Sequence, residues 1–354
     1  MRILSLTRYE RLGSSSRVRF YQYFPYLLAH GIQIQNAALL DNEYVRRLYN
    51  QKPAAFIPII QSYFQRITWL ARSRSFDLLW IEKELLPWVL AWMEYLLSRL
   101  RVPYVVDYDD AIFHRYDAHP NWAIRALLGR KIDAVMRAAT LVIVGNDYLA
   151  TRAHQAGARR VEYLPSVVDA SRYTHPQRPG GRFHIGWIGS PITAPFLKGI
   201  HEPLRKLSQD ANTKLILIGL GEEDPLPGIP KEKVPWSEEK EASFMEYLDV
   251  GIMQLPDEPF ERGKCGYKLI QYMAGGLPVI ASPVGINARI VEHGRNGYLA
   301  SIEEEWMEAL QTLRDNPEAR NQMGSAGRRK VEEEYDLRGT APRLLDLLTS
   351  AANG

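Results

Sequence analysis

Lys264 and Lys268 stand four residues apart, just behind Arg262, in the stretch ERGKCGYKLIQYMAGGLPVIAS (261–282). Leu269, Ile270 and Met273 supply the apolar stripe of a helix, Gly275–Gly276 its stop, and Leu277–Ser282 a short buried strand. The spacing predicts a helix that begins near Lys264–Lys268, with both ammonium groups on one face. A helix N-terminus already carries about half a positive charge, so cations gathered there repel it and one another. A bound anion removes the conflict. Helix N–H groups, two ammonium groups and a guanidinium would all point at it, and Gly263 and Gly266 let backbone approach closely. A phosphate or diphosphate matches that chemistry; the alternative is a solvated surface turn with no ligand.

Other candidate groups fall at predicted strand ends. In IGWIGSPITAPFLKG (185–199), Gly189, Ser190 and Thr193 offer backbone and hydroxyl donors to a diphosphate, or the two hydroxyls simply cap a helix from 194. In RYERLGSSSRVR (8–19), Gly13 and Arg17 are candidates and Ser16 reads as an N-cap; the segment is not a GxGxxG, so a dinucleotide site is not indicated. VPYVVDYDDAIFHRY (102–116) sets Asp107, Asp109 and Asp110 at a strand end. Its apolar neighbours and lack of further ligands argue against a closed metal site, and no metal is expected. Asp109 and Asp110, with His114 beside them, could instead orient a hydroxyl of a bound ligand, or else cap the next turn and pair with Arg115. Glu82 and Glu84 share one face at strand spacing and are candidates for ligand contact or partners for arginines.

The elements that hold these groups alternate from end to end. Strands are expected at Ile3–Leu6, Ile32–Asn36, Leu78–Ile81, Tyr104–Val106, Leu141–Val144 and Val161–Tyr163, with helices at 16–30, 53–72, 86–100, 120–138 and 147–156. Prolines and glycines break this rhythm over 166–182, which reads as a linker. A second unit follows, with strands at Phe183–Ile188, Lys214–Ile218, Val250–Met253, Pro278–Ala281 and Tyr298–Ala300 and helices at 302–315, 317–334 and 340–350. The fold class is thus α/β, two tandem Rossmann-like doubly wound parallel sheets facing a cleft where strand C-termini bind ligands. The expected domains are 1–165 and 183–335, with a last helix in 336–354 packing back on the first.

Hydrophobic content of 46% and charged content of 24% are ordinary globular values, and the single Cys265 permits no internal disulfide and fits a reducing cytosol. No export signal precedes the first strand, and the apolar stretch 85–100 is too short to span a bilayer and carries Glu94. A cytoplasmic protein is expected. The net charge of +3 hides an asymmetry: residues 1–175 hold 23 Lys+Arg against 15 Asp+Glu. A basic half implies an anionic partner. Arginines mix with Trp and Phe in 56–74 and 87–101, which suggests peripheral contact with an anionic membrane through Arg66, Arg72 and Arg74. Both stretches also fit buried helices of an α/β layer.

KLIQYMAGGLPVIASPVGINARIVEHGRNGYLA (268–300) resembles the donor-binding core of the retaining glycosyltransferases of family 4, which have the GT-B fold. That family carries a pair of glutamates; the corresponding positions here are Gly263 and Gln271. Gln271 can still bond ribose hydroxyls, whereas at Gly263 the side chain expected to hold the sugar is absent, so Glu261, Arg262 or Lys264 must cover for it. The sequence looks like a branch of the family with a GKCGxK loop, and the resemblance extends over most of the chain. It implies a nucleotide-diphosphate sugar donor, UDP- or GDP-linked, bound by Gly13, Arg17, Gly189, Ser190, Thr193, Arg262, Gly263, Gln271, Gly285 and Asn287. It implies catalysis by Lys264 and Lys268 with Asp109 and Asp110, and a glycan or lipid-linked acceptor near Glu82, Glu84 and His114. Neither a cofactor nor nucleic acid is implied. The alternatives are a GT-B nucleotide-sugar epimerase and a non-catalytic sugar-nucleotide-binding relative.

Overall fold

The computed structural model describes residues 1–174 and 181–353; residues 175–180 of the expected linker 166–182 lie outside the described residues. Six parallel strands form the first sheet: β1 (Arg2–Leu6), β2 (Gln33–Asn36), β3 (Leu78–Glu82), β4 (Tyr104–Tyr108), β5 (Leu141–Val144) and β6 (Val161–Tyr163), in the order β2-β1-β3-β4-β5-β6. The second sheet is built from β7 (Phe183–Ile188), β8 (Thr213–Ile218), β9 (Lys231–Val234), β10 (Val250–Met253), β11 (Val279–Ala281) and β12 (Gly297–Leu299), in the order β12-β11-β10-β7-β8-β9. Central strands such as LLWIE and LVIV are buried at every residue, because helices cover both faces of a parallel sheet. Strand order reverses between β1 and β3 in one sheet and between β7 and β10 in the other, and ligands of such sheets bind outside the strand C-termini at those points.

The chain divides into two compact units: Met1–Ser166 with Pro259–Cys265 and Thr340–Gly354, and Val167–Glu258 with Gly266–Gly339. The first therefore takes in a short stretch that a sequential division at the linker gives to the second. Packing explains it. Asn146 caps the helix Asp147–Gln155 by accepting from the Leu149 N–H, while its Nδ2 donates to the carbonyls of Gly263 at 2.8 Å and Lys264 at 3.0 Å. Gly263 lies against Ala111 so closely that a Cβ would come within 2.6 Å of its backbone nitrogen, and Cys265 Sγ sits where a Cβ on Gly145 would meet it at 2.3 Å. Cys265 joins the apolar core of the first unit and donates to the Asp109 carbonyl at 3.2 Å. Burial pushes its thiol pKa well above the usual range, with Asp109 adding to the effect, so it is packing material and not a nucleophile.

Several expectations need correction. The helix expected at 16–30 is broken into Ser14–Arg19, a 3₁₀ turn Tyr21–Tyr23 and Phe24–Ala29, with Pro25 unable to continue a ladder. Ser16 is not its N-cap: Gly13 occupies that position, and the Ser16 hydroxyl instead bridges the Tyr9 N–H and Glu82. Arg66, expected at a membrane-facing surface, is 2% exposed and donates to the carbonyls of Thr7 and Ala37, and burial draws its pKa down to about 10. Arg72 and Arg74 are exposed.

Candidate functional site

The helix carrying the GKCGxK motif starts later than its charge pattern suggests. It runs Tyr267–Ala274 behind Gly266, which adopts φ 65° and leaves the N-terminus without a side-chain cap. Lys268 is its second residue, whereas Lys264 lies before the helix and belongs to the first unit, so the two do not share a helix face. Arg262 closes the short helix Pro259–Arg262, an end where a cation is favourable. The stacking of cations thus reduces to one lysine, and that lysine has company.

Lys268 Nζ lies 3.1 Å from Thr193 Oγ1 and 4.5 Å from the centre of the Trp187 ring. Thr193 Oγ1 in turn donates to the Ser190 carbonyl at 3.2 Å. Gly189 directly follows β7 at the switch point of the second sheet, and a Cβ there would meet the Trp187 ring at 2.3 Å and Lys268 Nζ at 2.8 Å. An ammonium, a hydroxyl, an uncapped helix start and a side-chain-free stretch of backbone therefore converge within one unit. Groups of this kind are suited to hydrogen-bonding an anion. Farther along the helix, Gln271 is buried with Nε2 3.5 Å from Tyr173 Oη. Gly285 has φ 53°, and Asn287 donates through Nδ2 to the Ser282 carbonyl at 3.1 Å while its buried Oδ1 has no hydrogen-bond partner.

In the first unit the acidic candidates separate into two kinds. Asp107 is internal, held by Arg19 through Nε at 2.8 Å and Nη2 at 3.2 Å. Glu84 is internal too, taking Lys131 Nζ at 2.5 Å and Tyr116 Oη at 2.8 Å, which makes it a partner for cations and not a group facing solvent. Glu82 accepts from the Arg8 N–H at 2.7 Å and Ser16 Oγ at 2.6 Å; burial raises its pKa, and its Oε1 has no hydrogen-bond partner. Asp109 and Asp110 instead sit together at the end of β4, partly open, facing Lys83. Lys264 approaches Asp110 at 3.9 Å. His114 lies between Asp117 and Tyr148, each at 2.8 Å, in a relay braced by Arg152 on Asp117 at 3.0 Å. Gly13 packs on Tyr9, where a Cβ would come within 2.4 Å, and Arg17 is buried beside the Arg11 carbonyl. Among the described residues no group of three or more His, Cys, Asp and Glu side chains could hold a metal ion.

The pattern of the family Glycosyl transferases group 1 matches residues 183–316. D-inositol 3-phosphate glycosyltransferase of Pseudarthrobacter chlorophenolicus is 25% identical over 199 residues, 51% of this chain and 46% of the relative. The chain spans no more than half the length of the curated relatives it matches. Among solved structures, Anabaena Alr3699/HepE in complex with UDP superposes with a TM-score of 0.71 at 18% identity, covering 99% of this chain and 100% of the other. WaaG, a glycosyltransferase involved in lipopolysaccharide biosynthesis, gives 0.72 at 14% identity over 99% and 100%. The fold is GT-B. Within this GT-B chain the matched residues 183–316 include Gly189, Ser190, Thr193, Lys268, Gln271, Gly285 and Asn287, and none of the carboxylates of the first sheet. Trp187, Tyr173 and Lys83 are the neighbours that sequence reasoning missed. Trp187 reads as plain strand core, Tyr173 as linker, and Lys83 hides between two glutamates.

Proposed function

We propose that this chain is a retaining glycosyltransferase that moves a sugar from a UDP- or GDP-linked donor to a glycan or lipid-linked acceptor, in cell-surface polysaccharide or glycoconjugate synthesis. The observation that carries the proposal is the convergence of Lys268, Thr193 and the Gly189 backbone at an uncapped helix start. When the bond from the anomeric carbon to the diphosphate breaks, the electron pair stays on the phosphate oxygen. Lys268 and the helix N-terminus stabilise that charge as it forms, the kind of electrostatic term that dominates such barriers. The acceptor oxygen bonds to the anomeric carbon on the same face, and the departing phosphate takes its proton. Gln271 and Asn287 are assigned to the donor, and Asp109 and Asp110 to the acceptor hydroxyl, so that 183–335 serves the donor and 1–165 the acceptor. The UDP and UDP-glucose complexes of the Anabaena protein make UDP-glucose the first donor to try. Proton NMR of the first-formed sugar product tests retention: an α product from the α-linked donor is expected, and a β product would contradict it.

Peripheral membrane association is the second half of the reading. On the helix Phe56–Ala71 the side chains of Phe56, Ile57, Ile60, Phe64 and Ile67 form one exposed face, Phe56 being 74% exposed. The crossovers β2 to β3 and β3 to β4 advance the same way across the sheet, so this helix and Trp92–Arg99, with Trp92 and Tyr95 exposed, cover one side. Exposed Arg72 and Arg74 flank it. No helix among the described residues is long and apolar enough to cross a membrane. Co-sedimentation with anionic vesicles is expected at low ionic strength, where the screening length is about 30 Å, with a fraction retained in salt through the apolar face. Serine at Phe56 and Phe64 should remove the retained fraction. Absence of vesicle binding at low salt would favour a soluble acceptor.

A further inference from the structure

Lys83 follows β3 at the point where strand order reverses in the first sheet, and its backbone is unusual for a lysine. Its φ is 65°, in the left-handed region, at the centre of a three-residue turn closed by the Glu84 N–H on the Glu82 carbonyl at 2.7 Å. Such turns are strained for any residue with a Cβ, and glycine would relieve the strain at once. What lysine supplies is its side chain. Buried along its length, it brings Nζ to 2.8 Å from Asp109 Oδ1, 2.9 Å from Asp110 Oδ2 and 3.3 Å from Ser15 Oγ. The other charged or titratable groups facing this pair are Glu82 from β3, Asp107 from β4, Lys264 and the Cys265 thiol from the Pro259–Cys265 stretch, and Arg115 from the helix His114–Asp117.

We propose that Lys83 is a positioning residue that clamps Asp109 and Asp110 side by side, leaving the open edge of Asp110 to accept a hydrogen bond from the acceptor hydroxyl. The proposal rests on the transferase reading and adds to it a residue that touches neither donor nor acceptor. A strained backbone kept at the ligand-binding edge of a sheet, for the sake of one ammonium between two carboxylates, is the pattern expected of a functional constraint. Burial works against charge on Lys83, yet Asp109 and Asp110 raise its pKa above the usual lysine value. Burial likewise works against charge on Asp110, but Lys83 first, then Lys264 and Arg115, hold its carboxyl well below the ordinary range. With Lys83 removed, burial and the neighbouring Asp109 act against fewer cations, and the Asp110 carboxyl titrates at higher pH.

The test uses the full chain labelled with [13Cγ]aspartate, with Asp110→Asn to assign the resonance. In the wild type the Asp110 signal should stay that of a carboxylate from about pH 3 to pH 7, while Lys83→Met should bring its titration into that window, toward or above the unperturbed value of about 3.9. Lys83→Arg should keep the signal ionised. In parallel, UDP release from UDP-glucose that depends on a panel of aryl hexosides should fall about 100-fold in Lys83→Met, the scale of loss for a misplaced positioning group, with UDP-glucose affinity unchanged. Should Lys83→Met not fold, Lys83→Gly, relieved of backbone strain, takes its place. An Asp110 signal that does not move, or wild-type transfer in either variant, overturns the proposal. A wild type that neither binds nor turns over any UDP- or GDP-linked sugar sinks the transferase reading instead, and the NMR result still decides whether Lys83 holds the pair.

Discussion

Replacing Lys268 with alanine is expected to cut sugar transfer about 100-fold, the range for losing one preorganised donor to a developing charge. The loss should appear in kcat and kcat/KM together, because the ammonium matters most when the diphosphate leaves. Stability of the ligand-free protein should fall by no more than about 1–2 kcal/mol. The contact of Lys268 with the Trp187 ring is worth about 0.5–1 kcal/mol and its hydrogen bond to Thr193 about 0.5–1.5 kcal/mol. Removing a cation from the first turn of a helix returns about 0.3–1 kcal/mol and offsets part of that loss. Lys268→Arg keeps the charge but not the point geometry and should recover only part of the rate. Clear destabilisation with normal turnover would make Lys268 a structural residue and leave the account without its centre.

The largest stability effect is expected at Arg19, which touches no candidate ligand. It is fully buried, grips both oxygens of Asp107 and donates through Nη1 to the Leu164 carbonyl at 2.8 Å. Arg19→Met leaves Asp107 buried without its countercharge and should cost about 3–5 kcal/mol in urea unfolding. Burial already raises the Asp107 pKa, with Arg19 opposing it, so the variant should raise it further. A carboxyl whose folded pKa lies above its unfolded value binds more protons when folded. Stability of the variant should therefore fall as pH rises from about 4 toward neutrality, and the penalty should be smallest in acid. The double variant Arg19→Met with Asp107→Leu should recover much of the loss. A cost below about 1 kcal/mol for Arg19→Met at neutral pH would mean that the pair is not the buried strut described here.

The alternation of apolar runs and amphipathic stretches made the two sheets legible, since strands buried on both faces have few other ways to read. What escaped was locally polar or short. β9 is KEKV at the edge of its sheet, where charged side chains protect an exposed ladder and erase the apolar signal. The helix Asn42–Tyr49 carries one buried apolar residue, Val45, too little for a stripe. The candidate site was legible where it depends on residue type and opaque where it depends on contact. Gly189, Thr193 and Lys268 could each be chosen from sequence, but nothing in it says that positions 193 and 268 meet at 3.1 Å. At Gly263 the sequence shows a missing side chain; the packing on Ala111 shows that none would fit. Lys83 could not be found without its φ.

The most direct test of the central claim is thermal unfolding of the full chain with UDP-, GDP-, ADP- and dTDP-sugars at millimolar concentration. A site built around Lys268 and Thr193 should make at least one of these stabilising. A ligand at 100 times its dissociation constant adds about 2.7 kcal/mol, enough to raise the midpoint visibly. The matching nucleoside diphosphate should stabilise as well, and Lys268→Ala should lose most of the shift. If no nucleotide sugar or nucleoside diphosphate moves the midpoint of the wild type, the diphosphate site does not exist and the account is contradicted.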